Sequence, residues 1–264
     1  MRLTTKHFRL GTSPVTGYGL GVSGEELDEA LSGSVAAIVF DDAGNEEISA
    51  LLAGLADTDF ARNNLETLLS TVHEPEDWRV GEAMAESFLM ECRDCAFPWP
   101  DGRDQRKHGC SLPGADLVGF RRDPSGDRFA FGEVKTSGEE NHPPRVLYGR
   151  HGLKQQLEDL RDQRDIRDGL VRYLAHRATD ATWKTRFQSA ATCYLHDPCD
   201  VCIYGVLVRD VEPHEDDLRI RVNHLGQNCP AAMSIELFAL YLPLGRISTL
   251  GNQVSESNRR EDYR

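Results

Sequence analysis

The stretch Gly114–Ser137 reads GADLVGFRRDPSGDRFAFGEVKTS, and it decides the fold of the chain. Two apolar runs, one after Asp116 and one beginning at Phe129, lie on either side of the sequence DPSGD. Proline, glycine and aspartate between two apolar runs are typical of a tight turn, so the stretch predicts a β-hairpin. Because side chains alternate between the faces of a strand, Glu133 and Lys135 share a face with Phe129.

A carboxylate and an ammonium group are costly to bury on an apolar strand face unless they are paired or bind a metal. Asp116 and Glu133, at neighbouring strand ends, would supply the oxygen ligands that Mg²⁺ prefers, with Mn²⁺ as a substitute. The backbone carbonyl of Val134 would add a third ligand. Lys135 would orient or deprotonate an attacking water, or stabilise charge on a phosphate. The alternative is a solvated Glu–Lys pair of little energetic value, and the aromatic residues on the same face argue against it.

An Asp, a hairpin and then Glu-x-Lys resemble the PD-(D/E)XK nuclease superfamily, although Gly-Ala-Asp replaces the Pro-Asp of the name. Upstream, the sequence GEAMAESFL from Gly81 is similar to the first-helix pattern of several members, in which a Glu adds to the metal site. The resemblance covers residues 78–167. It implies an α/β fold with a restriction-endonuclease-like core, in which a mixed central sheet is flanked by helices.

The resemblance also implies a reaction, the Mg²⁺-dependent hydrolysis of phosphodiester bonds in DNA, with RNA not excluded. It implies a catalytic set of Asp116, Glu133, Lys135 and Glu82, and a metal-ligand set of Asp116, Glu133, Val134 and Glu82. Glu86 shares a helix face with Glu82. The sequence therefore leaves open which of the two joins the site, or whether both are solvated.

A narrower similarity is to the small nuclease subunit of the Hachiman anti-phage defence system. It rests on chain size and on the pattern Gly-x-Asp-x-x-Gly followed by Glu-x-Lys. It implies a defence or restriction effector that acts with a separate helicase or ATPase, since the chain carries no nucleotide-binding loop. A second hypothesis, of a different class, is a catalytically silent scaffold of the same fold that binds nucleic acid or a partner protein.

The charge distribution bears on nucleic-acid binding. The whole chain has a net charge of −13, but residues 98–190 carry 17 basic and 14 acidic side chains, a net of +3. The net-basic third of the chain thus contains the predicted site, as expected if this part faces phosphates. The candidate nucleic-acid contacts are Arg103, Arg106, Lys107, Lys154 and Gln155. The alternative is a solvated basic loop. In the same third, Arg161, Arg164 and Arg167 alternate with aspartates, which predicts solvated ion pairs.

Two Cys-x-x-Cys pairs, Cys92 with Cys95 and Cys199 with Cys202, form a rival signal for zinc or an iron–sulfur cluster. Cys193, Cys199 and Cys202 would be an alternative late set. The favoured interpretation is that free cysteines serve as small apolar residues. Seven cysteines, an odd number, fit a reducing cytoplasm better than a disulfide framework.

The chain is predicted to have an N-terminal elaboration for partner docking or regulation (1–74), a nuclease-like core (75–250) and a flexible tail (251–264). We expect strands at Leu3–Leu10, Val35–Phe40 and Leu218–Val222, and a long helix from Gly152 to Arg167. Amphipathic helices are expected at Glu46–Leu55 and Asn63–Val72. No signal peptide or membrane span is recognised, so a cytoplasmic location is expected.

Overall fold

The computed structural model describes residues 3, 5–69, 74–104 and 114–261 of the chain. Within these ranges seven strands form one sheet. In chain order the strands are β1 (Thr5–Thr12), β2 (Val15–Gly21), β3 (Cys95–Ala96), β4 (Leu117–Asp123), β5 (Gly126–Ser137), β6 (Val201–Arg209) and β7 (Ser234–Tyr241). Their order across the sheet is β1-β2-β7-β6-β5-β4-β3.

The sheet is mixed. Its four central strands, β2, β7, β6 and β5, run parallel, whereas β1 at one side and β4 and β3 at the other run antiparallel to their neighbours. Every residue of β6 is buried, which explains the continuous apolar run in its sequence. The predicted hairpin is confirmed as β4 and β5, and the run at Ile235–Leu242 forms β7.

Ten helices lie in the described ranges. They are α1 (Gly24–Ser32), α2 (Ser34–Val39), α3 (Asp42–Leu52), α4 (Asp59–Leu69), α5 (Asp77–Arg93), α6 (Leu153–Asp162), α7 (Arg164–Arg177), α8 (Lys184–His196), α9 (Arg219–Gly226) and α10 (Leu250–Glu261). No helix in these ranges combines the length and the apolar character that crossing a bilayer requires.

Helices cover both faces of the sheet. The apolar cluster on one face contains buried residues of α1, α2, α5 and α10. The cluster on the other face contains buried residues of α6, α7, α8 and α9. The expected class, an α/β fold with a mixed sheet between helices, is therefore confirmed.

Two short apolar runs were predicted as strands and form helices instead. Val35–Phe40 lies mainly in α2, where Val35 and Ala36 pack in the core. Leu218–Val222 leads into α9, and β6 instead pairs with β5 and β7. A short buried run has the same apolar composition in either structure, so the pattern alone does not separate the two.

The helix predicted from Gly152 to Arg167 is two helices, α6 and α7, which meet at Gln163. The guanidinium group of Arg167 donates to the carbonyl oxygens of Leu160 and Arg161 at 2.6 and 2.8 Å. Arg167 is only 3% exposed, so its prediction as a solvated ion pair is wrong. It satisfies carbonyl groups at the end of α6 that have no partner within that helix.

Both ends of the described chain join the fold. Residues 250–261 form α10, in which Leu250 and Val254 are fully buried, so the prediction of a flexible tail is wrong over this range. At the other end β1 and β2, which lie in the predicted N-terminal elaboration, belong to the central sheet through the β2–β7 pairing.

Candidate active site

The hairpin register brings the two predicted carboxylates together. Leu117 lies opposite Gly132, so the preceding residue, Asp116, is level with Glu133 on the neighbouring strand. The backbone N–H of Val134 donates to Oδ2 of Asp116 at 2.8 Å. This bond fixes the Asp116 side chain against β5, just beyond the first residue of β4.

Lys135 completes the group. Its Nζ lies 3.5 Å from Oε2 of Glu133 and 3.7 Å from Oδ2 of Asp116. The side chains of Glu133, Asp116 and Lys135 are 0%, 14% and 21% exposed. The three charged groups therefore form one cluster that runs from the buried interior of the sheet to a solvent-accessible ammonium group. Convergence of these three side chains is what the hairpin pattern predicts.

Glu133 is the least solvated member of the cluster. Burial, and then the neighbouring negative charge of Asp116, raise the pKa of Glu133 well above its ordinary value, while Lys135 opposes the shift. Its Oε1 is buried and has no hydrogen-bond partner in the described structure. An unpaired buried carboxylate oxygen is costly, and a bound cation would remove that cost.

The backbone of Val134 contributes to the same place. In a strand the N–H and C=O groups of one residue point to the same edge. Because the N–H of Val134 faces Asp116, its carbonyl oxygen also faces that side, beyond the paired part of β4. Asp116, Glu133 and this carbonyl are hard oxygen donors and fit a divalent cation such as Mg²⁺.

Helix α5 places Glu82 beside the end of β5. A Cβ atom at Gly81 would lie 2.1 Å from Oγ1 of Thr136, so only glycine allows this approach. Glu82 itself pairs with Arg79 at 2.9 Å. Within the described ranges no group of three or more His, Cys, Asp or Glu side chains is arranged to hold a metal. The structure thus does not bring Glu82 into a three-carboxylate cluster with Asp116 and Glu133. Glu86, the alternative, is buried within α5.

Three of the predicted nucleic-acid contacts lie in the described residues, and each is engaged by an acidic side chain. Arg103 binds both carboxylate oxygens of Asp41 at 2.8 Å, and its side chain is 15% exposed. Lys154 lies 4.0 Å from Glu158 and is partly exposed, and Gln155 donates to Asp159. Arg106 and Lys107 lie outside the described residues.

A cavity lined by Ala115, the residue before Asp116, is also lined by a glutamine of α6. Gln156 lines a cavity of about 920 Å³ together with Ala115, Val118 and Arg150, and its Oε1 is buried without a hydrogen-bond partner. Gln155 is exposed on the other side of α6. The spacing along the helix distinguishes the two glutamines in the sequence. Gln156 is three residues from Leu153 and four from Leu160, so it lies on the same buried face as these leucines.

The Cys-x-x-Cys pairs do not form a metal centre in the described ranges. Cys95 and Cys202 are buried in the apolar cluster on the α5 face. Burial raises the pKa of the Cys95 thiol to about 12, and it also raises the pKa of Cys202. Cys92, Cys193 and Cys199 are half-buried. The two buried thiols are thus held in their neutral form as part of the core.

Comparison with known proteins adds no assignment. No protein-family model matches the chain, and the search of curated proteins returns no match. The geometry of the site therefore has to carry any functional conclusion.

Proposed function

We propose that the chain is a divalent-metal-dependent nuclease of the PD-(D/E)XK type, which hydrolyses phosphodiester bonds of nucleic acid, with DNA as the expected substrate. The context that we favour is anti-phage defence or restriction, with a separate helicase or ATPase that delivers the substrate. The catalytic set is Asp116, Glu133 and Lys135.

One observation carries the proposal. Glu133 is fully buried next to Asp116 and has an oxygen without a hydrogen-bond partner, although a single lysine serves both carboxylates. In a structural ion pair with Lys135, a second carboxylate beside the buried Glu133 is unfavourable, because two like charges repel. A cation site requires both.

The Asp116 and Glu133 carboxylates and the Val134 carbonyl would hold the cation, which supplies Lewis-acid stabilisation of phosphate charge and lowers the pKa of a water molecule. The Val134 N–H keeps Asp116 oriented. Lys135 is the member of the cluster closest to solvent and carries three donor hydrogens. It would donate one to a water or to a phosphate oxygen, where charge develops during hydrolysis.

The test is cleavage of plasmid, linear and single-stranded DNA and of RNA in the presence of Mg²⁺, Mn²⁺ or EDTA. We expect metal-dependent cleavage that Asp116→Asn and Lys135→Ala lower by about two to three orders of magnitude, the range for losing one electrostatic contact in a transition state. Glu140→Gln is the matched control, because Glu140 is exposed in the loop that follows β5.

A second readout does not need activity. Mn²⁺ should raise the melting temperature of the wild-type chain and of Glu140→Gln, but not that of Asp116→Asn. Cleavage that persists in EDTA, or that Lys135→Ala leaves unchanged, would contradict the proposal. A chain without cleavage and without metal-dependent stabilisation would instead be the silent scaffold.

A further inference from the structure

The helix pair α3–α4 presents apolar side chains to solvent. Leu51, Leu55 and Phe60 are 76%, 73% and 76% exposed, and Ile48 and Leu68 are also exposed. Ile48 and Leu51 are three residues apart on α3 and share one helix face, and Leu55 lies in the 3₁₀ turn Ala53–Leu55 that follows α3. Single exposed apolar residues need no explanation, but five large ones within 21 residues are typical of an interaction surface. We call this the α3–α4 surface.

These helices lack the burial that holds the other helices in place. In α4 no described residue is buried, and in α3 only Gly44 is. By contrast α1, which is nine residues long, buries Leu27, Ala30 and Leu31. Isolated helices of about 11 residues are marginal in water, because most helical stability in proteins comes from packing an apolar face. The apolar side chains of the α3–α4 surface therefore lack the packing partner that an amphipathic pattern predicts.

The surface is nevertheless anchored at one end. Asp41 caps α3 through the backbone N–H of Gly44, and both of its carboxylate oxygens accept from Arg103 at 2.8 Å. Arg103 also lies over the ring of Trp99, 5.2 Å from its centre. The first turn of α3 is thus attached to the segment that follows α5, so the surface is presented in a defined position.

The net charge of this segment limits the kinds of partner that can bind the α3–α4 surface. Residues 42–69 contain six acidic side chains and one basic side chain, a net of −5. A second copy of the chain would bring the same negative charge to the contact, and nucleic acid and anionic membranes would be repelled as well. A segment that combines exposed apolar side chains with a net negative charge is complementary to a basic amphipathic helix.

We propose that the α3–α4 surface is the docking site for a protein that presents an amphipathic helix, with apolar residues on one face and lysine or arginine beside them. Docking covers Leu51, Leu55 and Phe60 and supplies the packing that α4 lacks. This role is independent of phosphodiester hydrolysis, since the surface contains none of the residues of the proposed active site.

The test uses the full chain and two synthetic helical peptides with the same leucine face, one flanked by lysines and the other by glutamates. We expect the lysine peptide to bind the wild-type chain and to slow amide hydrogen exchange in α3 and α4. Binding should weaken at least tenfold, about 1.4 kcal/mol, in Leu51→Ser/Phe60→Ser and with the glutamate peptide. Leu195→Ser is the matched control, because Leu195 is 82% exposed on α8.

The double variant should keep the wild-type melting temperature and the wild-type nuclease activity, because the two side chains are exposed and lie outside the site. Lysine-peptide binding that is absent, that is equal in the double variant, or that leaves α3 and α4 unprotected would overturn the proposal. So would self-association of the wild-type chain in sedimentation velocity that Leu51→Ser/Phe60→Ser abolishes, since the occupant would then be a second copy.

Discussion

The β4–β5 hairpin and the α3–α4 surface both depart from the usual distribution of side chains in a globular fold. The hairpin buries a charged group, and the surface exposes large apolar side chains. In the hairpin a carboxylate is buried at 0% exposure with an oxygen lacking a hydrogen-bond partner. In the helix pair Leu51, Leu55 and Phe60 are each more than 70% exposed. Globular folds normally expose charge and bury large apolar side chains.

The difference indicates what kind of binding partner would stabilise each region. A buried charge is stabilised by an opposite charge, so the hairpin is suited to a cation. An exposed apolar face is stabilised by removal from water, so the helix pair is suited to a protein. The same chain therefore points to two different kinds of partner at two separate places.

The largest expected effect is on catalysis at the hairpin. Glu133→Gln keeps the shape of the side chain but removes the charge that would hold the cation, so we expect cleavage to fall by about two to three orders of magnitude. Initial rates under saturating Mg²⁺, with Glu140→Gln as the control, would measure it. An unchanged rate would remove Glu133 from the site.

A pair of phenylalanines tests the contrast in burial. Phe129 is 0% exposed and packs among Phe120, Phe131 and Tyr194, so Phe129→Ala should cost about 3–5 kcal/mol of unfolding free energy. Phe60→Ala, at a side chain 76% exposed, should cost less than about 0.5 kcal/mol. Urea titrations of both variants check this. Comparable losses would mean that Phe60 is packed in solution.

A second buried carboxylate, Asp217, differs from Glu133 in having a hydrogen-bond partner at each of its oxygens. Asp217 is 0% exposed and accepts from Tyr241 at 2.9 Å, lies 2.9 Å from Nδ1 of His142, and pairs with the buried Arg209 at 3.4 Å. Asp217→Asn leaves the guanidinium group without its counter-charge and should destabilise the fold by about 3 kcal/mol.

When divalent cations are removed, Glu133→Gln should change the stability of the fold in the opposite direction to Asp217→Asn. It replaces a buried carboxyl group, whose Oε1 has no hydrogen-bond partner and whose ionised form is disfavoured by burial and by Asp116, with a neutral amide, so the melting temperature in EDTA should not fall and is expected to rise. Thermal melts of Asp217→Asn and Glu133→Gln side by side make the comparison. A large loss of stability in both would show that Glu133 is already fully paired.

A further expected effect concerns the approach of α5 to β5. Gly81→Ala places a methyl group against Oγ1 of Thr136, so we expect a loss of about 1–3 kcal/mol from overpacking. Gly81→Ala/Thr136→Ala should recover much of that loss. If the single variant is as stable as the wild type, α5 is not held as closely to the site as the structure indicates.

Local pattern predicts much of the site, and it does so for a local reason. The turn sequence and the two-residue alternation of β5 together place Glu133 and Lys135 on one face, and a register set by a short turn brings in Asp116. The helix phase of α6 could also have separated Gln156 from Gln155. The i, i+3 spacing of Arg79 and Glu82 in α5 could likewise have indicated their ion pair. Nothing in the local pattern indicates that Arg103 is bound to Asp41 from 62 residues away.

By itself, the sequence determined the hairpin, the amphipathic helices and the three charged residues of the candidate site, because each depends on neighbours close along the chain. Only the tertiary structure decided that two short apolar runs are helical, that Arg167 caps α6, and that α10 packs in the core. It also decided that the face of α3 and α4 stays in water. These outcomes depend on which distant segment supplies the packing or the hydrogen bond, and the local order of residues does not encode that choice.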